Sequence, residues 1–207
     1  MMALARTSWA QEVPSIACIV NDINNVKAGS VRVMRDIGGE VLIGAEEGLF
    51  RARGVNGVVT VDPAGNADTG GVSYLHDLRG GRVLIGAEKG LFLARVVDDV
   101  VAVDRVGKAD TGRVSEMQNA PGGGVLIGAD GLFLARVVND RVTVGPAGTA
   151  DTGSVLYMHD LPGGEVLIRA TATEGWFLAH VVKGAMIVDP AADMRDIQSV
   201  GSCSTSP

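Results

Sequence analysis

The sequence predicts an all-β chain assembled from repeated four-stranded units, and three observations lead there. A segment reading Val-Leu-Ile-Gly-Ala-Glu-Glu-Gly-Leu-Phe at 41–50 recurs at 83–92, 125–133 and 166–177, with first valines 42, 42 and 41 residues apart. Its length changes fall only in one turn: the third copy drops a residue at Asp130-Gly131, and the fourth gains two between Thr171 and Gly175. A strand-turn-strand unit tolerates such changes. Finally, no stretch keeps a 3.6-residue apolar period, while short β-branched runs are bounded by Gly, Asn and Asp, the pattern of strands and tight turns.

Each unit reads as four strands. The first lies at 31–37, 72–78, 114–120 and 155–161, and a Gly-Gly turn follows at 38–39, 80–81, 122–123 and 163–164. The recurring segment supplies the second and third strands. The fourth lies at 58–61, 100–103, 142–144 and 186–188, and Ala-Asp-Thr-Gly at 67–70, 109–112 and 150–153 leads onward. Four antiparallel strands in about 42 residues match a β-propeller blade, whereas a solenoid coil is shorter and a β-sandwich does not repeat its sequence. The predicted blades span 31–66, 67–108, 109–149 and 150–191, in one domain at 14–203 behind an N-terminal tail at 1–13.

Ring closure involves both chain ends. Met194-Arg195-Asp196-Ile197 copies Met34-Arg35-Asp36-Ile37, and residues 16–22 resemble 134–140. Segments 14–28 and 192–203 are therefore expected to share a fifth, closing blade. A four-bladed ring with decorated ends, or an oligomer completing a larger ring, stays open. Shared closure would place Cys18 and Cys203 on neighbouring strands about 4.7–4.9 Å apart, where a disulfide is geometrically allowed in an oxidising compartment.

Bulk properties narrow the function. The chain has 207 residues, 46 % of them hydrophobic and 20 % charged, a composition that folds. A formal net charge of −6 argues against nucleic acid as the main partner, because phosphate binding needs a basic face. No apolar run approaches the roughly 18 residues of a membrane span. The opening stretch is interrupted by Arg6, and Ser8-Trp9-Ala10-Gln11 has the flavour of a cleavage region. The expectation is a soluble protein, cytoplasmic, or periplasmic or secreted if translation starts further upstream.

The central motif, Gly-x-Val-Leu-Ile-Gly-Ala-Glu-x-Gly-Leu-Phe, resembles the two-component-regulator propeller repeat, whose pattern is Gly-x-Leu-Trp-Ile-Gly-Thr-x-x-Gly-Leu. The resemblance covers 31–191. Leu42, Leu84, Leu126 and Leu167 stand for the tryptophan, Ala45, Ala87, Ala129 and Ala170 for the threonine, and Arg169 for the fourth glycine. The resemblance implies a propeller of the sensor type, often periplasmic and joined to a kinase. The 207 residues contain neither a kinase nor a membrane anchor.

Several residues invite chemistry. Asp-Thr-Gly, at Asp68, Asp110 and Asp151, is the aspartic-protease signature, yet that reaction needs two such aspartates sharing a proton. Repeated in equivalent loops, the triplet is turn chemistry. Arg35, His76, Gln118 and His159 occupy one first-strand position. An intervening blade separates the two histidines, so one zinc with ligands at about 2.0–2.1 Å is not expected. Arg53, Arg95 and Arg136, with His180 as the fourth member, form a cationic rim suited to an anionic ligand or acidic partner, or simply pair with nearby carboxylates. Met34, Leu75, Met117 and Met158 are core. The glycine-rich turns lack the phosphate-loop pattern, and no cofactor or metal is expected.

The leading expectation is a non-catalytic recognition or sensor module. It would bind a protein partner or small polar ligand on a loop face lined by the Asp-Thr-Gly loops and positions 35, 76, 118 and 159. A propeller hydrolase or lyase is the alternative, with Arg169 to Glu174 as the strong break in the repeat. A structural, self-assembling repeat protein is the third reading, so an oligomer is allowed.

Overall fold

A computed structural model describes residues 26–55, 58–78, 80–98, 100–106, 111–139, 141–171 and 175–191. These residues form four four-stranded antiparallel sheets, and no helix occurs among them. The first sheet runs β1 (Val31–Ile37), β2 (Glu40–Ala45), β3 (Gly48–Val55) and β4 (Val58–Pro63). The second runs β5 (Val72–Leu78), β6 (Arg82–Ala87), β7 (Gly90–Val97) and β8 (Val100–Arg105). The third is β9 (Glu116–Asn119), β10 (Val125–Gly128), β11 (Leu132–Val138) and β12 (Arg141–Pro146). The fourth is β13 (Val155–Asp160), β14 (Val166–Ala170), β15 (Trp176–Val182) and β16 (Ala185–Pro190).

The second strand of each unit is apolar at nearly every position, and in the first sheet both its faces are covered. Leu42 and Ile43 point to opposite sides of β2 and both are buried, as a strand covered on two faces requires. The Gly-Gly turn takes its form from backbone sterics. Gly38 and Gly39 both have positive φ, 58° and 90°, which two-residue hairpin turns demand and side chains resist. Fourth strands run two residues past the expected end, to Pro63, Pro146 and Pro190. Proline suits a last position because it has no N–H for a continuing ladder. The third unit departs most. Its first strand begins at Glu116 rather than Val114; the Val114 amide donates to the Ala87 carbonyl, as the Val155 amide does to that of Ala129.

Two compact units share the chain. One contains the first two sheets apart from residues 86–91 and Arg105, and the other contains those residues with the last two sheets. In the first unit, a Cβ built on Gly44 would lie 2.6 Å from Val72 Cγ1. In the second unit, a Cβ on Gly128 would lie 2.6 Å from Val155 Cγ1. Each glycine is thus a hole that receives the leading valine of the following sheet. Ser115 Oγ donates to the Val155 carbonyl at 2.7 Å, and Gln118 Nε2 to the Met158 carbonyl at 2.9 Å. Leu126, Leu132 and Ala147 of the third sheet pack with Met158, Ile168, Phe177 and Val188 of the fourth. One face of a sheet lies on the opposite face of the next, the packing of propeller blades. The expected tail, the closing blade from 14–28 and 192–203, and the Cys18–Cys203 pair fall outside the described residues except for 26–28.

Candidate functional site

The residues grouped by sequence as one loop face lie at opposite ends of the sheets. The Thr69 hydroxyl lies 3.8 Å from a Cβ built on Gly48, and the Asp130 amide donates to the Thr111 carbonyl. Both contacts sit at the turn between second and third strands, the end where Val31 pairs with Ala45. Arg35 pairs with Leu42, four residues further along β1, or about 13 Å at the usual strand rise. Two separate regions therefore replace the single expected face.

The Asp-Thr-Gly loops are held as turns. Thr69, Thr111 and Thr152 are buried, and each hydroxyl donates to the carbonyl of the glycine that follows. Asp151 accepts from the Gly153 amide at 3.2 Å, an Asx-type turn. Asp68 also has a partner, and Asp110 lies outside the described residues.

First-strand positions reach towards the following sheet. Arg35 pairs with Asp77 at 3.8 Å, and Gln118 is tied to Met158 as described. His76 is half-buried and partnered. His159 differs. It is exposed, and its ring stacks on Tyr157 with centroids 6.2 Å apart and Nδ1 3.3 Å from the Tyr157 hydroxyl.

The cationic rim is largely neutralised along the strand edges. Arg53 pairs with Asp62 at 3.6 Å, Arg95 with Asp104 at 3.1 Å, and His180 with Asp189 at 3.8 Å. In the third sheet Gly145 occupies the place of those aspartates, opposite Leu134. Arg136 therefore lacks the local carboxylate that its counterparts have.

A row of side chains crosses the fourth sheet. Tyr157 on β13 is the register partner of Arg169 on β14, and Arg169 is the partner of Trp176 on β15. Cross-strand partners share a face. The Arg169 guanidinium lies over the Trp176 ring, 5.8 Å from its centroid. His159 and its partner Leu167 continue the same face, with Leu178 opposite Leu167. Tyr157, His159 and Arg169 are exposed and Trp176 is half-buried. This face corresponds to the Leu126 face of the third sheet, which the fourth sheet covers. The sequence marks Arg169 as a break in the repeat. Trp176 carries the same kind of signal, standing where other units have Leu49, Leu91 and Leu132, whereas Tyr157 has Tyr74 as its counterpart in the second unit.

Two ionisable groups elsewhere are unusual. Burial pushes the Glu116 carboxyl above its ordinary 4.5, only partly offset by the Met117 backbone amide. Glu40 is buried and pairs with Arg51 at 3.7 Å. Among the described residues no three His, Cys, Asp or Glu side chains gather as metal ligands would, and no helix is long and apolar enough to cross a membrane.

No family model matches the sequence, and no curated protein does. Solved structures do match. A Bacteroides fragilis protein described as a candidate 6-phosphogluconolactonase aligns with 78 % of this chain at 12 % identity and a TM-score of 0.54. A second protein, described as a candidate gluconolactonase, aligns with 77 % at 11 % identity and a TM-score of 0.46. The chain spans about half the length of the first, 53 %, and 62 % of the second. The fold is a β-propeller fold.

Proposed function

We propose that this chain binds a polar, sugar-like small molecule on the Tyr157–Arg169–Trp176 face of its fourth sheet and hydrolyses a lactone there. The observation that carries the reading is the row itself: an exposed arginine lying over Trp176, with Tyr157 as its other cross-strand neighbour and Leu167 and Leu178 continuing the face. Aromatic rings take the C–H faces of a small ring, and a guanidinium fork takes oxygens. The candidate lactonases that share the fold support a cyclic ester over other substrates. In this reading water adds to the lactone carbonyl, and His159 accepts its proton. Arg169 holds the developing oxyanion, and the ring oxygen leaves with that proton to give the open hydroxy acid. Tyr157 orients the imidazole through Nδ1.

Recognition without turnover is the second reading. Its support is the same row, since Arg169 over Trp176 can hold a polar ring whether or not His159 moves a proton. Incubation with gluconolactone and 6-phosphogluconolactone, followed by proton release, separates the two. Turnover above the solution rate, falling about 100-fold or more in His159→Ala, supports the hydrolase, since general acid–base groups contribute on that scale. Saturable binding by calorimetry without turnover supports recognition. Neither binding nor turnover defeats both.

A further inference from the structure

The leading valines of the second and fourth sheets, Val72 and Val155, are knobs for the preceding sheet, 0 % and 2 % exposed, whereas Val31 of the first sheet is 37 % exposed. The holes that receive such knobs are Gly44 and Gly128, where even a Cβ would come to 2.6 Å of the incoming valine. In the fourth sheet the hole is filled. Arg169 stands there, and Trp176 beneath it replaces the leucine of the other units. The turns beside the two glycine holes are covered in the same way: a Cβ built on Gly38 would come within 3 Å of Val96, and one on Gly122 within 3 Å of Val181. Nothing lies within 4 Å of Gly163 or Gly164, nor of Gly81 in the second sheet.

Among the described residues, then, the first sheet presents a knob with no glycine hole to receive it, and the fourth presents an apolar floor with no hole. Without Arg169, the Val31 edge of a second copy would match the Leu167–Leu178 face. That contact joins different patches on the two molecules, and unless its rotation closes into a ring it propagates as a filament. We infer that Arg169, braced on Trp176, blocks head-to-tail stacking of one copy on another. It does so by bulk at the knob position and by charge, because sealing an unpaired guanidinium against leucine is costly.

The test is solution mass by light scattering across a 100-fold range of concentration, with circular dichroism to check folding. Wild-type protein is expected to hold one mass throughout. Arg169→Gly is expected to grow with concentration, and adding Val31→Asp to that variant should restore the wild-type mass. Arg169→Ala is the reserve variant if glycine impairs folding, and should associate more weakly. A folded Arg169→Gly or Arg169→Ala protein with unchanged mass overturns the inference. Growth that Val31→Asp does not suppress overturns it too, as does stacking by the wild-type chain. The readout is independent of any ligand or turnover.

Discussion

Residues 125–129 and 166–170 are the same strand of the same repeat, Val-Leu-Ile-Gly-Ala against Val-Leu-Ile-Arg-Ala, yet their outward faces differ. Leu126 and Leu167 are both buried, but Leu126 lies beneath the fourth sheet beside Gly128, which receives Val155, whereas Leu167 lies beside the exposed Arg169. What differs is the neighbour. One glycine decides whether a following sheet can approach.

The largest effect should come from exchanging the two residues. Gly128→Arg drives a side chain into Val155 and is expected to cost about 4 kcal/mol or more, leaving little folded protein by chemical denaturation. Arg169→Gly is expected to cost well under that, about 1 kcal/mol, because it loses one exposed cation–π contact and some strand propensity. Equal penalties would mean that the two positions are packed alike.

Next come the leucines. Leu126→Ala should lose about 2–5 kcal/mol through its cavity, and Leu167→Ala about half as much or less, since the open side can relax into water. The comparison breaks if Leu167→Ala proves the costlier.

Glu116 sharpens the comparison by pH. Its folded-state pKa is raised by burial, so the folded state binds the proton more tightly than the unfolded state does. Stability is then highest below the ordinary value of 4.5 and falls as pH rises through the raised value. Glu116→Gln should flatten that fall, so its gain in thermal midpoint over the wild type is larger at pH 7 than at pH 4. A constant gain would show that the carboxylate is not penalised by burial.

Smallest are the rim arginines. Arg53→Gln and Arg95→Gln should change stability by about 0–1 kcal/mol each, as exposed pairs do, and Arg136→Gln by less, because Gly145 offers it no carboxylate. A larger loss at Arg136 would indicate a contact that the strand geometry does not supply.

Much of the fold is legible in residues such as Leu42 and Gly44, because a repeat aligns its own strands and prints its turns as glycine. The site is less legible. Arg35, His76, Gln118 and His159 look alike in sequence, but Arg35 and Gln118 reach the following sheet, whereas His159 is exposed and turns to Tyr157 on its own strand. That difference depends on what packs against each sheet, a relation no single strand encodes. Arg169 is visible as a break in the repeat; its pairing with Tyr157 and Trp176 needs the register. The Asp68 and Asp151 loops are readable as turns from local chemistry alone, which is why that part of the sequence reading needs no neighbour to be right.

The side-chain hydrogen bonds that join one sheet to the next have a consequence in time. They link Arg32 to Ser73, Ser115 to Val155 and Gln118 to Met158, across 41, 40 and 40 residues of chain. Each loop to be closed is one repeat long, so its entropic penalty does not grow as the chain lengthens. Assembly can then follow synthesis, every new repeat settling on the one already emerged from the ribosome. The leading valine would dock last, after its glycine is in place, which makes vectorial folding a property of the order in which knob and hole are translated.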